Sequence, residues 1–186
     1  MKIARLTSWA IVGFDNDPED IFERQIEFIR ESAIPLAMVG LLMALPGTQL
    51  RWRLEREGRL LQESTGNNTD CTLNYVLKMN ARRLVEGYKS ILRTTIYSPR
   101  EHYQRSLDCM YRVVVDVAKP RRSDFIGDAT ALVRIFLTLG VQDHDRREFW
   151  RYMYRALAGH REKFLVAVML AALGYHFRKV MEAYCR

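Results

Sequence analysis

Residues Ala10–Thr48 read AIVGFDNDPEDIFERQIEFIRESAIPLAMVGLLMALPGT, and this stretch decides the fold that the sequence predicts. A short apolar run at Ala10–Val12 leads into Gly13 and then into a helical segment. The next run, Leu36–Leu45, is almost continuously apolar, which is the pattern of a parallel strand that is covered on both faces. We therefore predict a strand–helix–strand unit whose two strands pair in parallel through a right-handed crossover.

The helix between the two strands has a recognisable start and end. Asp17 is a good N-cap, and Pro18 suits the first helical position because its missing N–H would have no partner there. Apolar residues then recur at helical spacing and predict one buried face. These residues are Ile21, Phe22, Ile26 and Ile29. The helix should end near Ser32.

The rest of the chain has a helical pattern, interrupted by short loops. Pro46 and Gly47 end the second strand, and Thr48 can cap a short helix through Arg56 that Gly58 stops. A polar, glycine-bearing loop follows at residues 64–70. Further helices are predicted to follow the caps Asn80, Ser98 and Asp145, to run from about Asp124 to Leu139, and to begin at about Arg161. Ser98 and Glu101 form a capping box.

Four sequence blocks, in order, resemble a known family. IVGFDNDPEDIFERQIEF and ALPGTQL are similar to the fifth and sixth strands of the radical S-adenosylmethionine (SAM) barrel, in the cobalamin-binding branch that includes the hopanoid methylases. GNNTDCTLNYVLKM and EGYKSILRTTIYSPREHYQR resemble the helical domain of unknown function that closes those proteins. The resemblance implies a partial barrel at residues 1–63 and a helical domain at residues 64–186. The predicted fold class is an α/β fragment with two parallel strands, followed by a mainly α-helical domain.

The resemblance also implies where SAM would bind. Ligands of parallel α/β folds lie over the carboxyl ends of the strands, where the loops converge. By similarity, the loops after the two strands contact the adenosyl part of SAM through Ile11, Val12, Gly13, Leu45, Pro46 and Gly47. For the glycines, a tight turn and a close approach to a ligand are equally compatible with the residue type. Asp15 and Asp17 are expected to cap a helix.

A second candidate contact loop precedes the helical domain. Its amide, hydroxyl and carboxyl side chains can hydrogen-bond to a substrate or cofactor, although the same residue types also form ordinary turns. The residues are Asn67, Asn68, Thr69 and Asp70. No other pattern suggests chemistry: the histidines lack metal-ligand spacing and no serine lies in a glycine-flanked elbow, so we predict no catalytic and no metal-binding residue.

The family implies SAM, a 4Fe–4S cluster and cobalamin as cofactors, and methyl or other group transfer to an unactivated carbon. A cluster needs several thiolates close together, whereas Cys71, Cys109 and Cys185 are widely spaced and are expected to be ordinary buried thiols. We therefore expect this chain to bind none of these cofactors alone and to be inactive alone. Its expected partner is the N-terminal barrel and cobalamin-binding region, in cis or in trans. Open strand edges also predict self-association.

The formal net charge of +7 supports an alternative, a basic helical binding module for nucleic acid or an anionic membrane surface. Arginines are scattered through every helix, so no specific nucleic acid is expected, and proximity to a membrane surface remains a prediction. The rings and guanidiniums that alternate between Tyr88 and Arg112 are expected to pack helices together.

Residues 1–9 carry no secretory signal, which predicts a cytoplasmic protein. The uncharged run Phe164–Tyr175 is too short to cross a membrane and predicts a buried helix.

Overall fold

The structure is a computed structural model that describes residues 7–64, 66, 73–112, 125–159 and 161–184. Within these residues the chain forms one parallel sheet of two strands and seven α-helices, so the predicted fold class is confirmed. The strands are β1 (Thr7–Val12) and β2 (Leu36–Leu41). The helices are α1 (Ile21–Glu31), α2 (Gln49–Arg56), α3 (Ala81–Ile91), α4 (Pro99–Arg112), α5 (Phe125–Leu137), α6 (Arg146–Gly159) and α7 (Phe164–Tyr184). Single π-helical turns extend α3 over Leu92–Ile96 and α5 over Thr138–Gln142.

The two strands pair in parallel, as predicted, with Val12 opposite Leu41. The second strand ends at Leu41, so its predicted extension to Leu45 was wrong. The reason is that the side chain of Asn74 hydrogen-bonds both peptide groups of Ala44, each at 3.0 Å. This contact turns the chain out of the strand direction.

Only one face of β1 is covered. Ala10 and Val12 point toward α1 and α3 and are buried together with Val39 of β2. On the opposite face Trp9 is 62% exposed and Ile11 is 39% exposed. Coverage of both faces was predicted for the second strand; in β1, one face is left uncovered within the described residues.

The helix after β1 starts later than predicted, at Ile21. Asp17 does not cap it, because its carboxylate Oδ2 accepts hydrogen bonds from the backbone N–H groups of Gly13 at 2.7 Å and Phe14 at 2.9 Å. The predicted buried face is confirmed: Phe22 and Ile29 are buried, and the other two isoleucines are partly buried. The end of the helix at Ser32 is also confirmed.

Three predicted caps are confirmed. The side chains of Thr48, Asn80 and Ser98 each accept a hydrogen bond from a backbone N–H two or three residues further along the chain. The second half of the predicted capping box was wrong, because the Glu101 carboxylate binds the guanidinium of Arg30 in α1 at 3.0 and 3.3 Å. This ion pair connects α4 to α1, the helix that packs against the sheet.

The helical part is built around α4, α6 and α7. The rings of Tyr103 and Tyr152 stack with centroids 4.7 Å apart, and both are buried. The apolar run in α7 supplies buried Val166, Ala167, Val168, Leu170 and Ala171, which confirms the predicted buried helix. None of the described helices meets the length and hydropathy needed to span a bilayer.

The predicted packing of the alternating rings and guanidiniums is confirmed only in part, because Tyr111 is 61% exposed and three of the four arginines are exposed at the surface. Tyr88, Tyr103 and Arg105 are all less than 9% exposed. Cys109 is a buried free thiol, as predicted, and burial raises its pKa. Cys71 and Cys185 lie outside the described residues.

Candidate functional site

A cleft opens at the carboxyl edge of the sheet. Because β1 and β2 are parallel, residues 13–20 and 42–48 leave from the same edge and face each other. The cleft between them, which we call the strand-end cleft, has a volume of about 300 Å³. Its walls are Phe14, Asp15, Asn16, Leu42, Leu50, Arg53 and Tyr75. It continues along α2 into an open depression of about 620 Å³ beside Trp52 and Arg56.

Gly13 makes the turn that forms one wall of this cleft. Its φ is +111°, a conformation that residues with a side chain rarely adopt, and a Cβ here would lie 3.2 Å from Cδ2 of Leu84. Its N–H donates to Asp17, and its carbonyl accepts a hydrogen bond of 2.8 Å from the Tyr75 hydroxyl. Both backbone groups of Gly13 are therefore already bonded within the protein.

Asp15 fixes the same loop through an ion-pair network. Its carboxylate contacts Arg59 at 2.7 and 2.9 Å and Arg53 at 3.0 Å, and its side chain is only 8% exposed. The hydrogen bond from Arg59 lowers the pKa of Asp15, so the carboxylate remains ionised. Arg59 also donates to the carbonyl of Val76. Asp15 therefore joins the loop to the segments that follow α2 and precede α3, and does not cap a helix as predicted.

Tyr75 closes the floor of the cleft. It is 2% exposed, and burial, followed by the negative charge of Asp15, raises the pKa of Tyr75 to about 12. The phenol consequently keeps its proton at neutral pH and donates a hydrogen bond to the carbonyl oxygen of Gly13. Tyr75 thus holds the loop after β1 at Gly13, and Asn74 holds the loop after β2 at Ala44. These two neighbouring residues position both loops of the cleft.

The structure brings the six predicted SAM-contact residues to one edge of the sheet but presents them differently. Val12 and Gly13 are buried, and the Val12 side chain faces the helices. Ile11 lies on the exposed face of β1. Residues 45–47, which are Leu45, Pro46 and Gly47, form an exposed loop. The second predicted contact loop, Asn67, Asn68, Thr69 and Asp70, lies outside the described residues, and both assignments stay predictions.

Sequence patterns did not single out Trp52, Asn74 or Tyr75, whereas Phe14 lies within the loop Gly13–Asp17 that is predicted to face a ligand. Phe14 is 47% exposed and Trp52 is 56% exposed, so both present aromatic surface to the cleft region. Asn74 and Tyr75 lie in the block GNNTDCTLNYVLKM, which resembles the family as a unit. Their signal was a polar pair inside the short apolar run LNYVL, where a buried polar side chain must find a hydrogen-bond partner.

We predict that Tyr75→Phe lowers the free energy of unfolding by about 1–2 kcal/mol, because it leaves the buried Gly13 carbonyl without its donor. Urea unfolding of the two proteins measures the difference. Tyr154→Phe is the matched control, since Tyr154 is 74% exposed, and it should change stability by less than about 0.5 kcal/mol. Equal effects of the two substitutions would contradict the assigned role of Tyr75.

The described residues contain no group of three or more His, Cys, Asp or Glu side chains placed to hold a metal ion. The described cysteine, Cys109, is enclosed by the helical core, far along the chain from the strand-end cleft. The cleft itself is lined by aromatic, apolar, amide and charged side chains.

Residues 48–186 match the family described as a domain of unknown function (DUF4070). The chain is 30% identical over 178 residues to an uncharacterized methyltransferase of Synechocystis sp., an alignment that covers 92% of this chain and 32% of that protein. It is 27% identical over 173 residues to the hopanoid C-2 methylase of Rhodopseudomonas palustris, covering 90% of this chain and 32% of that protein. This chain thus spans about a third of the length of these curated relatives. No solved structure matches it.

These similarities confirm the resemblance to hopanoid methylases that the sequence blocks indicated. The family match begins at Thr48, the cap of α2, and the predicted domain boundary after residue 63 stays a prediction. Since the match covers most of the chain, the protein belongs to the DUF4070 family.

Proposed function

We propose that this chain forms part of a cobalamin-dependent radical SAM methylase, in which β1–α1 and β2 are the last strand–helix units of the barrel. The remainder of the barrel and the cobalamin-binding region are its partners, in cis or in trans. Similarity to a methyltransferase and to a hopanoid methylase supports the reaction class. The helical domain then follows the barrel.

The observation that carries this proposal is the exposed apolar face of β1. In a barrel with outer helices, side chains that point away from the helices fill the interior. Trp9 and Ile11 point away from α1 and are exposed, and Met38 of β2, opposite Trp9, is partly buried. Further strands beside the β1–β2 pair would cover this face and pair its open edges.

The strand-end cleft fits the adenosyl part of SAM. Phe14 offers an exposed ring for stacking on a purine, and Leu45 is 44% exposed across the same edge. Of the other predicted residues, Pro46 and Gly47 follow Leu45 in the exposed loop, whereas Gly13 is buried and Ile11 lies on the exposed face of β1. When bound, SAM supplies the reactive carbon chemistry, whereas this chain contributes orientation and exclusion of water. The hydrogen bonds of Asp17 and Tyr75 hold the Gly13 turn for that purpose.

The described residues do not fit a 4Fe–4S cluster, because Cys109 is buried among α4, α6 and α7 and no metal-ligand group is present among them. We propose that the cluster and cobalamin are held by the partner region, and that this chain alone is inactive. Alone, it offers one side of the SAM site, so we expect only millimolar affinity for adenosyl compounds, too weak to retain the cofactor.

We predict that S-adenosylhomocysteine at millimolar concentration shifts the backbone amide resonances of residues 13–16, Leu45 and Gly47 in the full chain. Phe14→Ala should remove most of these shifts because the stacking surface is lost. Phe28→Ala is the matched control, since Phe28 is 53% exposed on α1 and does not line the cleft. Shifts that are absent, or that are lost equally in both variants, would contradict the proposed site.

A further inference from the structure

A second groove lies between α4 and α6, in the helical part of the chain and apart from the strand-end cleft. Its volume is about 540 Å³. Its floor is the stacked pair Tyr103 and Tyr152, which are 7% and 1% exposed. Its rim carries three guanidiniums, Arg100 from α4 and Arg151 and Arg155 from α6. We call it the arginine groove.

The carboxylates of the arginine groove are already paired. Glu101 binds Arg30 of α1 through two hydrogen bonds, and Glu148 binds Arg151 at 2.8 Å. Both acids are only 29% exposed. No acid of the groove is therefore left to neutralise the other two rim arginines.

Arg100 and Arg155 are the cations left over. Within the described part of the chain neither forms an ion pair, and the guanidinium of Arg155 donates a hydrogen bond to the Gln104 side chain, at 3.5 Å. The groove therefore carries an excess of positive charge above an aromatic floor. Such a surface attracts an anion, and the attraction is stronger in a groove than on a convex face.

The spacing of the arginines favours a phosphate-type anion over a single carboxylate. Arg151 and Arg155 are one helical turn apart on α6, and Arg100 faces them from α4. Guanidiniums bind phosphate oxygens in a forked geometry, and cations on two walls can engage different oxygens of one group. The volume also admits more than one phosphate.

We propose that the arginine groove binds a ligand bearing a phosphate or diphosphate group. Arg100 and Arg155 contact its oxygens, Arg151 is shared with Glu148, and Tyr103 packs against the uncharged part of the ligand. A soluble phosphate ester and a phospholipid headgroup share this chemistry. This proposal is independent of SAM binding, since no residue lines both sites.

The first test titrates the full chain with inorganic pyrophosphate at low ionic strength, followed by calorimetry. The double variant Arg100→Gln/Arg155→Gln should bind about tenfold more weakly, because two charge-assisted contacts are lost. The matched control is Arg24→Gln/Arg82→Gln, which removes the same charge from exposed positions on α1 and α3 and should leave the affinity nearly unchanged. All four positions are exposed, and thermal unfolding checks that each variant is folded.

The second test separates the two sources of the phosphate group. If the ligand is a lipid headgroup, the wild-type chain will sediment with phosphatidylcholine vesicles that contain phosphatidic acid, and the groove variant will not. If the ligand is soluble, pyrophosphate binds but the vesicles do not retain the chain. The proposal is overturned if neither probe binds, or if the control variant loses as much affinity as the groove variant, since net charge alone would then explain binding.

Discussion

Replacing Arg178 by methionine should lower the free energy of unfolding by about 3 kcal/mol, because it leaves carboxylates without their cation in a largely buried setting. Arg178 of α7 is 7% exposed and donates to Asp143 and, at 2.8 Å, to Asp145. The Asp143 side chain is only 10% exposed. Methionine keeps the aliphatic part of the arginine side chain. The loss of stability therefore measures the effect of removing the charge and not the effect of a smaller side chain.

The ion pairs of Arg178 join α7 to the start of α6. Although burial lowers the pKa of Arg178, the hydrogen bonds and charges of Asp143 and Asp145 outweigh it and raise that pKa. The sequence predicted Asp145 as the cap of α6; the helix begins at Arg146, and the Asp145 carboxylate binds Arg178. Loss of this cation should therefore loosen the contact between two core helices.

Urea unfolding measures the effect, with Lys179→Met as the matched control. Lys179 is the next residue, its side chain is 53% exposed, and its pair with Glu182 is a surface contact worth less than about 1 kcal/mol. Asp143→Asn in the Arg178→Met background should recover part of the loss, because it removes the uncompensated carboxylate. If Arg178→Met and Lys179→Met were equally stable, the ion pairs of Arg178 would not contribute to the stability of the fold.

Gly174→Ala is expected to destabilise the chain by about 3 kcal/mol or to prevent folding, because overpacking a buried site forces a shift of rigid groups. A Cβ at this position would lie 2.1 Å from Nε2 of His102 and within 2.5 Å of two further ring atoms. In an open helix the same change would stabilise by about 1 kcal/mol through helix propensity. A loss of stability, and not a gain, would therefore show that the added methyl group collides with the His102 ring.

His102 cannot easily move aside. Its Nδ1 lies 3.1 Å from the carbonyl oxygen of Pro35, and its Nε2 lies 3.0 Å from that of Leu170. Burial, followed by the charge of Arg105, lowers the pKa of His102 to about 4, so the ring is neutral at pH 7 and donates only one hydrogen. The ring nitrogen without a hydrogen therefore forms no hydrogen bond to the carbonyl oxygen beside it. The ring is held by its other hydrogen bond and by packing between α4 and α7.

A double-mutant cycle tests this contact directly. In a His102→Ala background the methyl group of Gly174→Ala enters the space left by the imidazole, so the substitution should cost much less than in the wild type. Thermal and urea unfolding of the four proteins give the coupling free energy. An equal cost in both backgrounds would show that the imidazole is not the obstacle.

Local patterns determined most of the secondary structure. The apolar runs predicted both strands, and the caps at Thr48, Asn80 and Ser98 were correct because a cap depends on backbone groups only two or three residues away. Asp17 was wrongly predicted to cap α1, although it too is a typical N-cap residue at the start of a helical pattern. The turn at Gly13 presents two N–H groups to its carboxylate, and these replace the helix terminus as its partners.

By itself, the sequence determined the strand–helix–strand order, the helical remainder and the family resemblance, since these depend on short spacings or on matching blocks. Only the tertiary structure decided the shape and lining of the strand-end cleft and of the arginine groove. The contacts that shape the strand-end cleft join Asn74 to Ala44, Asp15 to Arg59 and Tyr75 to Gly13, at separations of 30, 44 and 62 residues. Gln104 and Arg155 of the arginine groove are 51 residues apart. Periodicity compares only neighbours along the chain, whereas burial and charge pairing depend on which distant segments the folded core brings together.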